Sequence, residues 1–531
     1  MKNKQRLFDR LALGCVSALA LAIAAGPVSA ETLRVVMQAG LRVTDPVMTT
    51  AFITRDHGYM IFDTLLGMDS KFQPQPQMAD WKVSDDGKDY VFTLRDGLKW
   101  HDGTPVTAED CVASIKRWAE VDGTGMPLFE MVESITPVDE KSFEIKLKQP
   151  TTLLLEGLAK ISSRPAFMMP KRLAETPAAE NIPEMIGSGP FRFVAEEFQP
   201  GLKVVYEKNP DYVSRDEPSD WTAGGKKVNV DRVEWIAMPD QMTAMNALLN
   251  NEIDLIQQVP FDLLPLAQSS PDLKVESLDP LGNWTYFRMN HLYPPFDNKL
   301  VRQAAMAAVN QVDVLSVLVG DPAYYQTCVA VMGCGNPNGT EEGAEWVGKG
   351  DIELAKKKLA EAGYDGTEVV ILQPTDLALT APQPVVIGDA LRKAGFNVNL
   401  KTMDWQTVVM NQGNQNPPSE GGWNLFSTFA ILATSGDPFS NTTLSAQGRK
   451  SWAGWPDVPR LEELRMDYAK AGSRDEQKAI AAEIQKVAID EGVVGPLGQF
   501  KIMAAWNQNW DGFLQAPVTL FWNVDSPNAT E

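Results

Sequence analysis

Histidine and cysteine are scarce in this chain of 531 residues, which holds three of the first and four of the second. His57, His101 and His291 share no spacing that would let them grip one metal ion. No nucleophile elbow and no clustered Ser/His/Asp motif occurs. No catalytic residue, cofactor or metal is therefore assigned. Basic charge is also short: 48 Lys and Arg face 69 Asp and Glu, for a formal net charge of −21. So acidic a surface repels phosphate backbones and anionic headgroups, which argues against nucleic acid and anionic lipid as partners. Internal repeats and low-complexity tracts are missing. Gly343 to Gly350 imitates a phosphate loop, but Gly350 stands where the magnesium-binding Ser or Thr is required, and no apolar strand leads in. Beyond the N-terminus no apolar run reaches the roughly 20 residues that a bilayer span needs.

The N-terminus is different. Lys2, Lys4, Arg6 and Arg10 precede an apolar stretch from Leu11 to Ala25, and Val28-Ser29-Ala30 then offers small residues. A stretch of about fifteen fits the apolar core of a secretory leader better than a retained anchor. Cleavage is expected after Ala30, leaving a soluble periplasmic protein. Cys15 follows Arg10 too closely to leave an apolar core before it, which argues against a lipid anchor. Export makes disulfides admissible. Cys328 and Cys334 lie six apart and suit a local bridge, with two buried free thiols as the alternative. Closing so short a ring is worth roughly 2 kcal/mol by loop entropy. Cys111 sits in an apolar helical pattern and reads as a core thiol.

The mature chain is long enough to require several domains. Strands and helices alternate over most of it, which is an α/β pattern. Strands are expected at 90–94, 143–147, 191–194, 369–372 and 398–401. Thr107 can cap a helix whose Cys111, Ile115 and Trp118 share one face. A long helix is expected from Asn298 or Lys299 through Val301, Ala305, Val309 and Val312 to Gly320. Asp351 should cap 352–362 ahead of Gly363. Further helices are expected from Pro382 to Gly395 and from Asp475 to Gly492, and a loop over 411–422.

The longest motif runs from Phe92 to Asp110: a strand, the turn Asp96-Gly97, a short strand with Trp100, the turn Asp102-Gly103 and a capped helix. It resembles the signature of the peptide- and nickel-binding family of bacterial extracellular solute-binding proteins, family five. Gly187-Ser188-Gly189-Pro190-Phe191 follows in the family's order. So do Pro294-Pro295-Phe296-Asp297-Asn298, leading into Val301-Arg302-Gln303-Ala304, and Ala355 to Tyr364. These motifs are mostly scaffold, so Arg95, Asp102 and Asp110 are poor candidates for ligand contact. The resemblance implies a two-lobe periplasmic binding protein fold of type II, with an extra domain inserted in lobe one. The expected division is a leader at 1–30, lobe one at 31–70, 186–288 and 494–531, the inserted domain at 71–185, and lobe two at 289–493. Crossings are expected near 284–290 and 494–500, allowing hinge closure on a ligand.

A ligand enclosed by both lobes needs apolar walls and a few aimed polar groups. Trp284, Tyr286, Trp405 and Phe429 are the aromatic candidates, each against the competing reading of core packing. Leu41, Arg42 and Thr44 belong to a stretch, ending at Asp45, that resembles the family's early cleft loop. In the family's dipeptide and oligopeptide binders, an Asp four residues before the Pro of an Asp/Glu-Pro pair holds the ligand's α-ammonium. Here that pair is Asp437-Pro438, and the corresponding position is Thr434; Ile431 replaces the usual Trp. A neutral Thr cannot supply the counter-charge. Peptide and non-peptide solutes therefore both stay open.

The leading expectation is a monomeric binding component of an ABC importer. It would deliver its solute to transmembrane permease subunits driven by cytoplasmic ATPase subunits. A sensor or chaperone on the same fold, or a secreted hydrolase, are the alternatives. N-terminal sequencing of the exported protein should read from Glu31; a mature chain starting at an acylated Cys15 would overturn the leader assignment.

Overall fold

A computed structural model describes residues 31–471 and 473–525. The expected leader, with Cys15 and the cleavage site, lies outside the described residues. Among those residues no helix is long and apolar enough to cross a membrane.

Local signals set many of the elements. Thr107 and Asp110 form a reciprocal capping box: the Thr107 N–H donates to Asp110 Oδ2 at 2.8 Å, and the Asp110 N–H donates to Thr107 Oγ1 at 3.4 Å. The helix they start, Ala108–Ala119, buries Cys111, Ile115 and Trp118 on one face. Trp100 Nε1 donates to Asp110 Oδ2 at 3.2 Å, so the signature motif is tied together internally. Asp351 caps Ile352–Ala362, and Gly363 ends it at φ 68°. Gly395 ends Gln383–Ala394 in the same way, at φ 104°.

The long helix expected from residue 298 is two helices, Lys299–Ala308 and Gln311–Leu318. Val309 turns extended, and the Asn310 side chain accepts the Val312 N–H at 2.8 Å. An Asn oxygen that competes for a backbone N–H restarts the helix instead of continuing it. Apolar periodicity alone does not register that competition. Ser473 rather than Asp475 caps Arg474–Asp490. The expected loop over 411–422 begins inside the last turn of Trp405–Gln412.

Two mixed sheets organise the molecule. The first has seven strands, in the order Phe191–Phe193, Lys203–Lys208, Arg232–Ile236, Thr32–Val36, Leu255–Val259, Met503–Asn507 and Leu273–Glu276. The second has six, in the order Tyr325–Gln326, Gly495–Phe500, Asn283–Met289, Leu425–Ile431, Glu368–Pro374 and Asn397–Met403. A separate four-stranded antiparallel sheet, Ala79–Val83, Asp89–Leu94, Ser142–Leu147 and Val132–Pro137, lies within the stretch expected as an insertion.

The chain passes between the two large sheets at 277–282 and again at 501–502. The stretches 284–290 and 494–500, expected as crossings, are instead almost entirely strand within the second sheet, where Asn283 pairs with Phe500. The two passages therefore run side by side. Gly282 sits at φ 77°, and a Cβ there would lie 2.4 Å from the Phe500 carbonyl oxygen, so this position needs glycine.

Buried ion pairs fasten the pieces. Arg117, on the helix after the signature, meets Asp45 through Nη2–Oδ2 at 2.7 Å and Nη1–Oδ1 at 3.2 Å, with the two side chains 2% and 0% exposed. Asp45 Oδ2 also accepts the Ile182 N–H at 3.1 Å. Lys226 Nζ and Asp63 Oδ1 lie 2.6 Å apart, both wholly buried. Cys328 and Cys334 are bridged, and Cys111 is a buried free thiol. Removing one member of a buried pair strands the other's charge. Asp45→Ala should therefore lose about 3–5 kcal/mol in denaturant unfolding; a loss under about 1 kcal/mol would show that this pair does not hold the helix Ala108–Ala119 against the N-terminal loop.

Candidate functional site

Against the second large sheet lies a cavity of about 580 Å3. One side is built by Thr50, Phe52, Met68 and Phe72 together with 121–126 and 156–164; the other by Tyr286, 336–338, 429–443, Trp452, Tyr468 and Arg474. The sheet order explains why these segments meet. Asn283–Met289 and Leu425–Ile431 are paired central strands, which bring Tyr286 and the end of the second strand, Phe429 to Ile431, to the cavity. The bridge between Cys328 and Cys334 closes the loop leading to Asn336, Pro337 and Asn338. Gln499 Oε1 pins that loop by accepting the Cys334 N–H at 2.7 Å.

The aromatic wall is held from behind. Trp284 is wholly buried and stacks on Tyr286 at 4.4 Å between ring centroids. Tyr286 meets Trp452 edge-on at 6.3 Å. Arg288 lies 5.2 Å from the Trp452 ring and donates to the carbonyls of Thr443 at 2.7 Å, Val493 at 2.8 Å and Ala453 at 2.8 Å. Burial lowers the Arg288 guanidinium to about 10. Carbonyl dipoles thus carry most of its charge compensation, and Trp452 and Thr443 are fixed as wall residues.

Charge in the cavity is concentrated at one end. Glu156 stands on Leu153–Ala159 and Asp437 on the opposite wall. Burial, and then the charge of Asp437, raise the Glu156 carboxyl to about 7, with Arg474 opposing. Arg474 Nη1 is 3.5 Å from Glu156 Oε1, but also donates to Gln477 Oε1 at 3.0 Å. Burial raises Asp437 as well, against the N–H groups of Phe439 and Ser440 at 2.8 and 3.4 Å. Elsewhere on the wall, Lys160 Nζ pairs with Asp122 Oδ2 at 2.7 Å.

Of the residues expected from sequence, the cavity brings together Tyr286, Phe429 and Thr434. Thr434 Oγ1 donates to the Ile431 carbonyl at 2.8 Å. Trp284 stands one layer behind, in the core. Trp405 is outside the lining: it opens a helix after the edge strand Asn397–Met403 and packs on the cluster of Trp423, Phe426 and Trp455. Leu41, Arg42 and Thr44 are also outside it. Leu41 is core, Arg42 is exposed, and the Asp45–Arg117 pair draws their loop toward the helix Ala108–Ala119. The N-terminal stretch that reaches the cavity is instead Thr50 to Phe52. Glu156, Asn338, Trp452 and Arg474 escaped the sequence reading. Only Asp437 carried a signal, through its Asp-Pro pair.

Burial lowers His57 to about 3 and His101 to about 4, and pushes the Cys111 thiol well up. Among the described residues the one grouping of metal-type ligands is Cys328, Cys334 and Glu341, whose two sulfurs are bonded to each other.

Residues 73–451 match the model of the bacterial extracellular solute-binding proteins, family 5 middle region. A probable peptide ABC transporter periplasmic-binding protein, y4tO of Sinorhizobium fredii, is 40% identical over 498 residues, covering 93% of each chain. Solved structures share the fold. AgaA of A. tumefaciens R10, in complex with agropinic acid, superposes with a TM-score of 0.77 at 21% identity, over 93% of this chain and 98% of that one. The oligopeptide-binding protein AppA of Bacillus subtilis, in complex with a nonapeptide, gives 0.76 at 19% identity, over 94% and 99%.

The raised Glu156 carboxyl has a consequence for stability. The folded protein holds this proton up to about pH 7, whereas an unfolded Glu releases it near 4.5. The folded state thus binds more protons across that window, and the group's contribution to stability falls as pH rises through it. Glu156→Gln should remove that slope and leave the unliganded protein more stable at pH 8, by on the order of 2 kcal/mol. Urea unfolding of both proteins at pH 5 and pH 8 measures this; equal slopes would show that Glu156 is ionised throughout.

Proposed function

The chain belongs to family 5 of the bacterial extracellular solute-binding proteins, the binding components of ABC importers, and from that premise we propose that it captures a peptide-sized solute in the cavity between its lobes. The observation that carries this reading is the cavity itself. Its volume lies within the range that encloses small ligands, and its walls come from both sides of a boundary crossed only at 277–282 and 501–502. A solute bound there touches both lobes only when they are closed. It therefore favours the closed arrangement by its difference in affinity for the two.

Export through the leader at 1–30 would place the mature protein in the periplasm, where the closed form presents both lobes to permease subunits coupled to cytoplasmic ATPase subunits. On the ligand, Thr434 supports a departure from peptides held by an α-ammonium at that position. Its hydroxyl is engaged with the Ile431 carbonyl and carries no charge.

The compound released by denaturing freshly purified protein is the ligand for the test. Adding it back to stripped protein should shrink the radius of gyration in small-angle scattering. Trp452→Ala should weaken its binding in calorimetry by about 1–3 kcal/mol, the scale of burying a large apolar side chain. An unchanged radius at saturation would count against closure, and an unchanged affinity would take Trp452 out of the site.

A further inference from the structure

We propose that the solute carries a protonated amine or a guanidinium, and that Glu156 and Asp437 hold it between them. The inference rests on reading this cavity as the solute site, and it concerns the end where the charges do not balance. Two carboxylates face that end from opposite walls, and the cation nearest to Glu156, Arg474, is divided. It lies 3.5 Å from Glu156, donates to Gln477 Oε1 and the Phe72 carbonyl, and is 38% exposed. The other cations close by are committed. Arg465 donates to the carbonyls of Pro438 and Phe439 and to Glu462 Oε1 at 2.6 Å. Lys160 is paired with Asp122, and Arg164 donates to the Val121 carbonyl.

Asn338 supplies an independent observation. It lines the same cavity at 7% exposure, and its Nδ2 donates to Tyr468 Oη at 2.8 Å and to the Gly436 carbonyl at 2.7 Å. Its Oδ1 is buried without a partner. A buried acceptor left unmade is costly, and a wall residue in that state calls for a donor from the ligand. Carboxylates and an amide oxygen offer only lone pairs, which an ammonium or guanidinium matches with several N–H groups. Among the described residues no further His, Cys, Asp or Glu joins Glu156 and Asp437 within metal-ligand spacing, so an organic cation fits better than a metal ion. The contact is also made from both lobes, so a bound cation would offset the repulsion between the two carboxylates as the lobes close.

This subsite differs from an α-ammonium site at residue 434. The cation is gripped three positions further along the chain, and from the opposite wall by the inserted domain. Glu156→Gln and Asp437→Asn keep the shapes of the side chains, and the second substitution retains an oxygen for the N–H groups of Phe439 and Ser440.

The probes are short peptide amides, diamines and agmatine, each titrated calorimetrically beside its N-acetylated form. Wild-type protein should favour the free cation roughly tenfold or more among the compounds it binds. Either carboxylate substitution should erase that preference. At pH 7 the free cations should also release protons on binding, read as heat that varies with the buffer, because they favour ionised Glu156; the release should vanish in Glu156→Gln. Acetylated forms that bind wild type as tightly as the free amines would overturn the proposal. So would a preference that survives both substitutions. If Trp452→Ala weakens both members of such a pair, the cavity reading stands and only this inference falls. If Trp452→Ala leaves every binder untouched, the cavity is not the site and the inference falls with it.

Discussion

Two short passages, 277–282 and 501–502, carry all covalent connection between the large sheets, and they lie side by side. Most of what the molecule can do follows from that constraint. Side-by-side passages leave rotation about a narrow axis as the soft degree of freedom, while each sheet keeps its own packed surroundings. One cavity wall comes from the chain before the first passage and the other from the chain between the two passages, so their separation depends on that rotation. At the axis, Gly282 lets the chain pass against the Phe500 carbonyl, where a Cβ would force the strands apart.

Buried charge keeps each side rigid. Arg117–Asp45 ties the helix Ala108–Ala119 to the N-terminal loop, and Lys226–Asp63 ties two distant parts of the chain near Trp522. On the other side, Arg288 reaches three carbonyls from separate segments and lies against Trp452. Each is expensive to desolvate and stable only when its partners are in place, so each specifies a geometry more than it adds stability. The result is two stiff walls, one aromatic and one built from residues between 50 and 164.

Between those walls the chemistry is uneven. Tyr286, backed by Trp284, supplies apolar surface with Trp452 and Phe429 that suits many solutes. The acidic end is selective. Glu156 and Asp437 raise one another's cost of ionisation, and a cation between them would remove that cost. Apolar surface would then contribute affinity, and the charge imbalance would choose among solutes.

Sequence alone determined the local structure here, because caps, turns and apolar periodicity act over a few residues. Thr107 with Asp110, Asp351 with Gly363, and Pro382 with Gly395 each marked a helix that forms where they stand. It also determined the family, since the motif from Phe92 to Asp110 and its followers are long and ordered. It erred where two local signals competed, as at Val309 and Asn310, where a side-chain oxygen outweighed an apolar stripe. The site was legible only at Tyr286, Phe429 and Thr434. Trp405 looked like a wall residue because it follows a strand, but that strand is a sheet edge, and the ring closes a cluster there. Glu156, Asn338 and the stretch that holds Asp437 and Trp452 are distant in sequence and join only through sheet order and the bridge at Cys328–Cys334. Tertiary structure alone decided that meeting, because burial and unbalanced charge are properties of neighbours in space and leave no periodic mark along the chain.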